Sequence, residues 1–259
     1  MRKLLLVFIL LGIVCNVQAQ SWEVGASVGG AGYMGDLNPN HPLKMSGGTA
    51  GLMVKRNFNQ YLSASLHYSV ANIAGADSTS SNSQTISRNL SFKTPLSEIS
   101  LVGELNFLKY IPSVTDNRFT PYVFAGAGLT TFKPQTVYNG VTLDLAPFKT
   151  EGQAAQYGNK AVSAIYGAGI KYNVSDSWNI IADIGYRNAF TDYLDDVSGV
   201  YAPISSFNND PTSLAFALAD RGFTPGNPGS QRGDFRPHDS YLFINLTLSF
   251  TFITAKCYY

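Results

Sequence analysis

Cysteine and histidine are scarce in this chain of 259 residues, two of the first and three of the second. Cys15 lies within an apolar N-terminal stretch and Cys257 close to the other end. If the N-terminal stretch is cleaved, one cysteine remains and no intrachain disulfide can form. His41, His67 and His238 stand at no metal-ligand spacing. Charge is thin as well: Asp, Glu, Lys and Arg make up 14% of the residues, whereas soluble surfaces carry roughly 25–35%. The two signs nearly balance, which points away from nucleic acid and anionic surfaces as partners. No apolar run of about 18 residues follows the N-terminal stretch, so no membrane-spanning helix is expected. A phosphate cradle is not expected either. The glycines of VGASVGGAGY and VFAGAGL lie inside strand-like segments and do not open a helix.

The N-terminus reads as an export signal. Arg2 and Lys3 form a basic start, residues 4–15 an apolar run, and Val17-Gln18-Ala19 a small-residue cleavage site. Cleavage after Ala19 divides the chain into a signal peptide, 1–19, and one domain, 20–259. Without Arg2 and Lys3 the 18 basic residues become 16, against 17 acidic ones, for a net charge of −1. The competing reading is a lipoprotein signal acylated at Cys15. That needs Gly, Ala or Ser before the cysteine, and Val14 stands there.

What the chain has in quantity is alternation. Eight segments run with a period of two: 21–33, 49–55, 61–70, 98–107, 121–132, 161–174, 178–187 and 240–252. The last carries Leu242, Ile244, Leu246, Leu248, Phe250 and Phe252 as one stripe. Segment 121–132 is apolar on both faces and is the weakest of the eight. The charged residues Glu23, Lys55, Glu98, Glu104, Lys171, Asp183 and Arg187 fall opposite the apolar stripes, and so does His67. Connections alternate too. They are short after the second, fourth and sixth segments, and long after the first, third, fifth and seventh.

These regularities predict an all-β fold: a closed antiparallel transmembrane barrel of eight strands in the outer membrane. Short turns and both termini face the periplasm, and long loops face outward. A soluble eight-stranded barrel also alternates. The low charge, the loop asymmetry and aromatic residues near strand ends weigh against it; Trp22, Tyr33, Tyr61, Phe107, Tyr110, Tyr122, Phe132, Tyr172, Trp178, Tyr186 and Tyr241 are expected to form girdles. Outer-membrane lipid is then one partner.

An eight-stranded barrel is only wide enough for its own side chains. The seven lumen charges are therefore expected to pair and form a plug, since an unpaired buried charge costs several kcal/mol. Some outer-membrane lipid hydrolases use a His and a Ser two residues apart on a strand, as His67 and Ser69 are here. Such an enzyme must meet lipid on its outer wall, and these two face inward. No catalysis, cofactor, metal at the histidines or small-molecule substrate is expected.

The stretch TDYLDDVS places Asp192, Asp195 and Asp196 together after the seventh strand. Its spacing lacks the alternate-position oxygens and glycine of a calcium loop. The carboxylates, with Thr191 and Ser198, can anchor turns or pair with Arg187 at the rim; a divalent cation and a partner contact are the other readings. Further along, 210–222 has Asp210 as N-cap, Pro211 at the first helical position and Gly222 as terminator, which predicts a short amphipathic helix. The stretch 223–237 after it reads as coil. ADSTSSNSQTIS (76–87) is too polar to order itself, and Asn139-Gly140 suggests a tight hairpin.

Several blocks also carry a family likeness: YMGDLNP (33–39), EISLVGELNFLKY (98–110), TPYVFAGAG (120–128), TEGQ (150–153), GAGIKYNVSDSWNI (167–180), GYRNAFTDYLDDVSGVY (185–201) and DSYLFINLTLSFTF (239–252). In this order they span nearly all of the chain after the signal, and it resembles the PorG-like outer-membrane barrels of the type IX secretion system. The resemblance implies a role in that secretion, as a barrel that associates with the periplasmic ring of the machine. A lipid-modifying barrel enzyme and an adhesive or protective surface barrel are the alternatives. If the ring is the partner, contact must use the short turns or the tail. In the longest turn, Lys109, Tyr110, Ile111, Arg118 and Phe119 offer the aromatic, apolar and basic mix that hot spots favour. Tyr110 and Phe119 resting among lipid headgroups is the plainer alternative.

Overall fold

The computed structural model describes residues 21–38, 43–112 and 117–252. The expected signal peptide, His41 and the tail beyond residue 252 lie outside these residues. Ten strands follow in order: β1 (Ser21–Met34), β2 (Met45–Asn57), β3 (Leu62–Ala76), β4 (Ser91–Asn106), β5 (Phe119–Phe132), β6 (Gln135–Tyr138), β7 (Val141–Asp144), β8 (Lys160–Ser175), β9 (Trp178–Ala189) and β10 (Ser240–Phe252). Eight of them make the wall. Each pairs antiparallel with its neighbours, and β1 meets β10 from Trp22↔Phe252 to Met34↔Ser240, so the sheet closes on itself. No edge is left in the wall. β6 and β7 form a side hairpin turned by Asn139 (φ 50°) and Gly140 (φ 79°), as the Asn-Gly pair predicts. Among the described residues, no helix is long and apolar enough to cross a membrane.

The wall is apolar outside and polar inside. Val28, Leu52, Leu101, Val162 and Leu246 project outward and are about half or more exposed, while Glu23, Lys55, Glu98, Glu104 and Lys171 are buried within. An inside-out pattern of this kind would be very costly in water, because the apolar band needs a nonaqueous surround. The wall strands run 12 to 16 residues, longer than the roughly 9–11 a tilted strand needs to cross. The chain is therefore an outer-membrane-type β-barrel.

Three layers fill the interior. At the short-turn end, the segment after β4 folds back into the mouth. Tyr110 and Ile111 are buried, and the Tyr110 hydroxyl donates to Asn179 Oδ1 at 3.0 Å. In the middle, Lys55 and Lys171 hold Glu104 at 3.1 and 2.5 Å, with Ser63 and Ser65 donating to the same carboxylate. Lys55 also faces Glu23 at 3.9 Å, and Arg187 pairs with Glu98 at 3.3 Å. At the long-loop end, Tyr33, Ile73, Phe92, Phe132, Leu194, Leu218, Tyr241 and Phe243 pack into a hydrophobic core. A cavity of about 30 Å³, lined in part by His67, Asp183, Arg187 and Asn245, lies between the last two layers. It has room for a water or two.

Several expectations need correction. Tyr33, Tyr110, Tyr122, Phe132 and Tyr241 are buried and so do not belong to a girdle. The exposed aromatic belt at the short-turn end is Trp22, Tyr61, Phe107, Phe119, Tyr172, Trp178 and Phe252. Asp183 faces inward but makes no ion pair within 4 Å among the described residues; the Tyr122 hydroxyl reaches it at 3.4 Å. The polar tract is ordered: a short helix, α1 (Ser83–Arg88), is capped by Asn82, whose side chain accepts from Gln84 N. The second helix, α2 (Leu214–Ala219), begins later than predicted. Ser213 caps it, while Asp210 binds Thr212 in a turn of its own. Asp210 is thus a turn residue rather than the N-cap, because the Asx turn captures its carboxylate first.

Candidate functional site

The long loops form a folded crown over one end of the barrel, and the sequence blocks TEGQ and TDYLDDVS meet in it. Glu151 of the first block accepts from Ser198 N and Gly199 N at 2.9 and 3.0 Å and from Arg232 Nη1 at 2.9 Å. Thr150 donates to Asp196 Oδ2 at 2.6 Å, and the Tyr157 hydroxyl donates to Asp196 Oδ1 at 2.5 Å. Arg232 also donates to the Asp196 carbonyl at 2.8 Å. Two blocks more than 40 residues apart in the chain therefore form a single structural unit.

The three aspartates of that loop separate. Asp196 is turned toward Thr150, Tyr157 and Arg232, and Asp192 is only half-buried. Asp195 joins two residues from elsewhere, Asp36 just after β1 and Asp239 just before β10. Arg187 pairs with none of the loop acids. It points into the lumen, donating to the Gly185 carbonyl at 2.7 Å with its guanidinium 4.1 Å from the Phe243 ring centroid. The rim pairing expected from sequence is corrected: Arg187 has the alternation of an inward residue, and Glu98 is the acid at its height.

Around Asp195 the turn-anchoring role is visible. Asp195 Oδ1 accepts from Val197 N at 2.9 Å, Asp239 Oδ2 from Leu194 N at 2.9 Å, and Thr191 Oγ1 from Tyr193 N at 3.3 Å. Tyr33 donates to Asp195 Oδ2 and lies 3.1 Å from Asp239 Oδ1. Gly35 runs close beneath; a side chain there would collide with Asp239 Oδ1 and the Tyr33 hydroxyl. Burial pushes the Asp36 carboxyl up to about 7 and those of Asp192 and Asp196 up to about 6. Asp195 and Asp239 are raised well above the usual carboxylate range, by burial first and by neighbouring carboxylates second.

Above Asp36 a cleft of about 590 Å³ opens between α1 and the loop around Tyr201 and Gln231. Arg88 forms one wall: it binds Asp77 at 2.7 Å, the Asp36 carbonyl at 3.0 Å and the Arg232 carbonyl. Sequence reasoning named Asp195 and Asp196 but missed Asp36, Glu151, Arg232 and Asp239. Asp36, Glu151 and Asp239 were visible inside the blocks YMGDLNP, TEGQ and DSYLFIN. Arg232 lies in a stretch read as plain coil.

At the short-turn end the five proposed contact residues divide. Lys109, Arg118 and Phe119 are exposed, and Tyr110 and Ile111 are turned into the barrel mouth. Those two are corrected from surface anchors to interior residues, because burying them closes the mouth against the polar layer of Asn179 and Thr251 at the short-turn end.

Several solved structures resemble the fold. Neisserial surface protein A is 12% identical, with a TM-score of 0.45, covering 91% of this chain and 100% of that one. The N-terminal barrel domain of Pseudomonas aeruginosa OprF is 14% identical, with a TM-score of 0.41 over 91% and 100%. The outer-membrane enzyme PagL is 12% identical, with a TM-score of 0.35 over 88% and 97%. No curated protein matches. A family model described as a domain of unknown function, DUF6089, matches residues 2–210, and the chain belongs to that family.

Proposed function

We propose that this protein is a non-catalytic outer-membrane component of the type IX secretion machinery that anchors or stabilises its periplasmic ring. The observation that carries the reading is the filled lumen. With Tyr110 across one mouth, ion pairs at mid-height and a hydrophobic core at the other end, the barrel has only its surfaces to work with. An anchor needs nothing more. The sequence blocks shared with the PorG-like proteins support the particular machine.

Ser21 and Phe252 both lie at the short-turn end. In this reading that end faces the periplasm and the crown faces outward. Leu108, Lys109 and Arg118 are exposed there beside the aromatic belt, and they form the contact patch for ring proteins. Phe119 pairs in register with Tyr172 and belongs to the belt itself. An enzyme reading finds little support in the histidine: His67 Nε2 sits 2.9 Å from Ser65 Oγ inside the barrel, away from lipid.

The test is purification of the protein from detergent-solubilised outer membranes, followed by identification of what accompanies it. Ring components should come with the wild type, and their recovery should fall several-fold for the double variant Leu108→Ala, Arg118→Ala with a normally folded barrel. Their absence from the wild-type preparation would sink the proposed role. Undiminished recovery with the double variant would sink the contact patch.

A further inference from the structure

Among the described residues, three carboxylates meet beneath the crown without an ion-pair partner. One oxygen each from Asp36, Asp195 and Asp239 lie within 4.8 Å of one another, and all three residues are buried. Other buried acids of the crown are matched: Asp77 by Arg88 at 2.7 Å, and Glu151 and Asp196 by Arg232 at 2.9 and 3.9 Å. Among the described residues, no Lys or Arg nitrogen lies within 4 Å of the three carboxylates' oxygens. Packing three ionised carboxylates together in a dry interior is strongly unfavourable unless protons or a cation neutralise them.

Two details besides the crowding mark the cluster as open to a ligand. Asp36 is 6% exposed, yet its Oδ2 has no hydrogen-bond partner. The Tyr33 hydroxyl faces carboxylate oxygens of both Asp195 and Asp239, although it has one proton to give. With both carboxyls ionised, one of those two contacts sets oxygen against oxygen. There is also a way in, because Asp36 lies on the floor of the 590 Å³ cleft that opens from the crown.

We propose that Asp36, Asp195 and Asp239 bind one hard divalent cation, with Ca²⁺ the best fit. Carboxylate and phenol oxygens suit hard cations. Ca²⁺ takes about six to eight oxygens in flexible geometry, whereas Mg²⁺ demands a near-ideal octahedron and keeps several of its waters. Three converging carboxylates beside a phenol make the protein-built oxygen cage that suits the larger ion. Water from the cleft completes its shell. Three negative charges and a divalent ion leave −1, close to the Arg88 guanidinium that binds the Asp36 carbonyl. The ion joins the end of β1, the acidic loop and the start of β10, so it locks the crown onto the barrel.

The test uses the full mature chain in detergent micelles, with Ca²⁺ or Mg²⁺ titrated calorimetrically after chelation and dialysis. One Ca²⁺ per chain is expected, bound at least ten-fold more tightly than Mg²⁺. Asp36→Asn and Asp239→Asn should each weaken Ca²⁺ at least ten-fold, while Asp144→Asn in the side hairpin should not. Variants are compared only where heat modifiability shows a folded barrel. A second measurement needs no variant: chelator should speed limited proteolysis within 190–239 of the wild type, and Ca²⁺ should restore protection. If the wild type takes up no Ca²⁺ at millimolar concentration and its proteolysis ignores chelator, protons alone neutralise the cluster and the proposal fails. Tighter binding of Mg²⁺ than Ca²⁺ would overturn the choice of ion.

Discussion

At the scale of single residues, the interior is held by charges that have nowhere else to go. Glu104 is the hub: Lys55, Lys171, Ser63 and Ser65 all bind its carboxylate. Glu104→Ala strands two buried cations, and breaking buried pairs costs about 3–5 kcal/mol. Arg187→Ala strands Glu98, which keeps the Tyr241 hydroxyl at 2.7 Å. Urea unfolding followed by gel mobility should show a larger loss for Glu104→Ala than for Arg187→Ala. Equal, wild-type-like midpoints would mean that the plug does not support the fold. Alternation along the strands made the inward face of Glu104, Lys171 and Arg187 legible in the sequence. It did not reveal height along the barrel axis, which depends on strand stagger. That is why Arg187 was assigned to the rim, why Asp183 was expected to find a cation, and why five buried aromatics were counted as girdle.

At the scale of elements, the hairpin was legible and the polar tract was not. Asn139-Gly140 carries its own turn chemistry, so β6 and β7 follow from local residues alone. α1 is different. Its segment has little apolar surface, and its order comes from Arg88 reaching Asp77, the Asp36 carbonyl and the Arg232 carbonyl, the last 144 residues away. Composition within a window cannot register a partner that far off. Arg88→Ala should therefore make 77–90 susceptible to limited proteolysis while the barrel stays heat-modifiable. Asn82→Ala removes the N-cap and should cost about 1 kcal/mol, a milder version of the same effect. Equal protease resistance in Arg88→Ala and wild type would show that something other than this arginine orders the segment. The same distance effect hid the meeting of Asp36, Asp195 and Asp239, which come from three separate loop roots.

At the scale of the whole molecule, one pattern repeated eight times produces a wall that is apolar outside and polar inside, and strand pairing from β1 to β10 closes it. Closure leaves the interior to be filled, and the chain fills it with three unlike layers: a tyrosine-capped mouth, a charged middle and a hydrophobic top. Among these layers the charged middle was the part the alternation could foresee. The two end layers depend on loops folding inward, which no strand period encodes. The proposed anchoring role rests on occlusion, because a filled lumen leaves a barrel its surfaces and denies a channel its path. The most direct measurement is conductance of the purified protein in planar lipid bilayers, with heat modifiability confirming a folded barrel in the same preparation. The account predicts no steady conductance; stable, stepwise openings from the folded protein would contradict it.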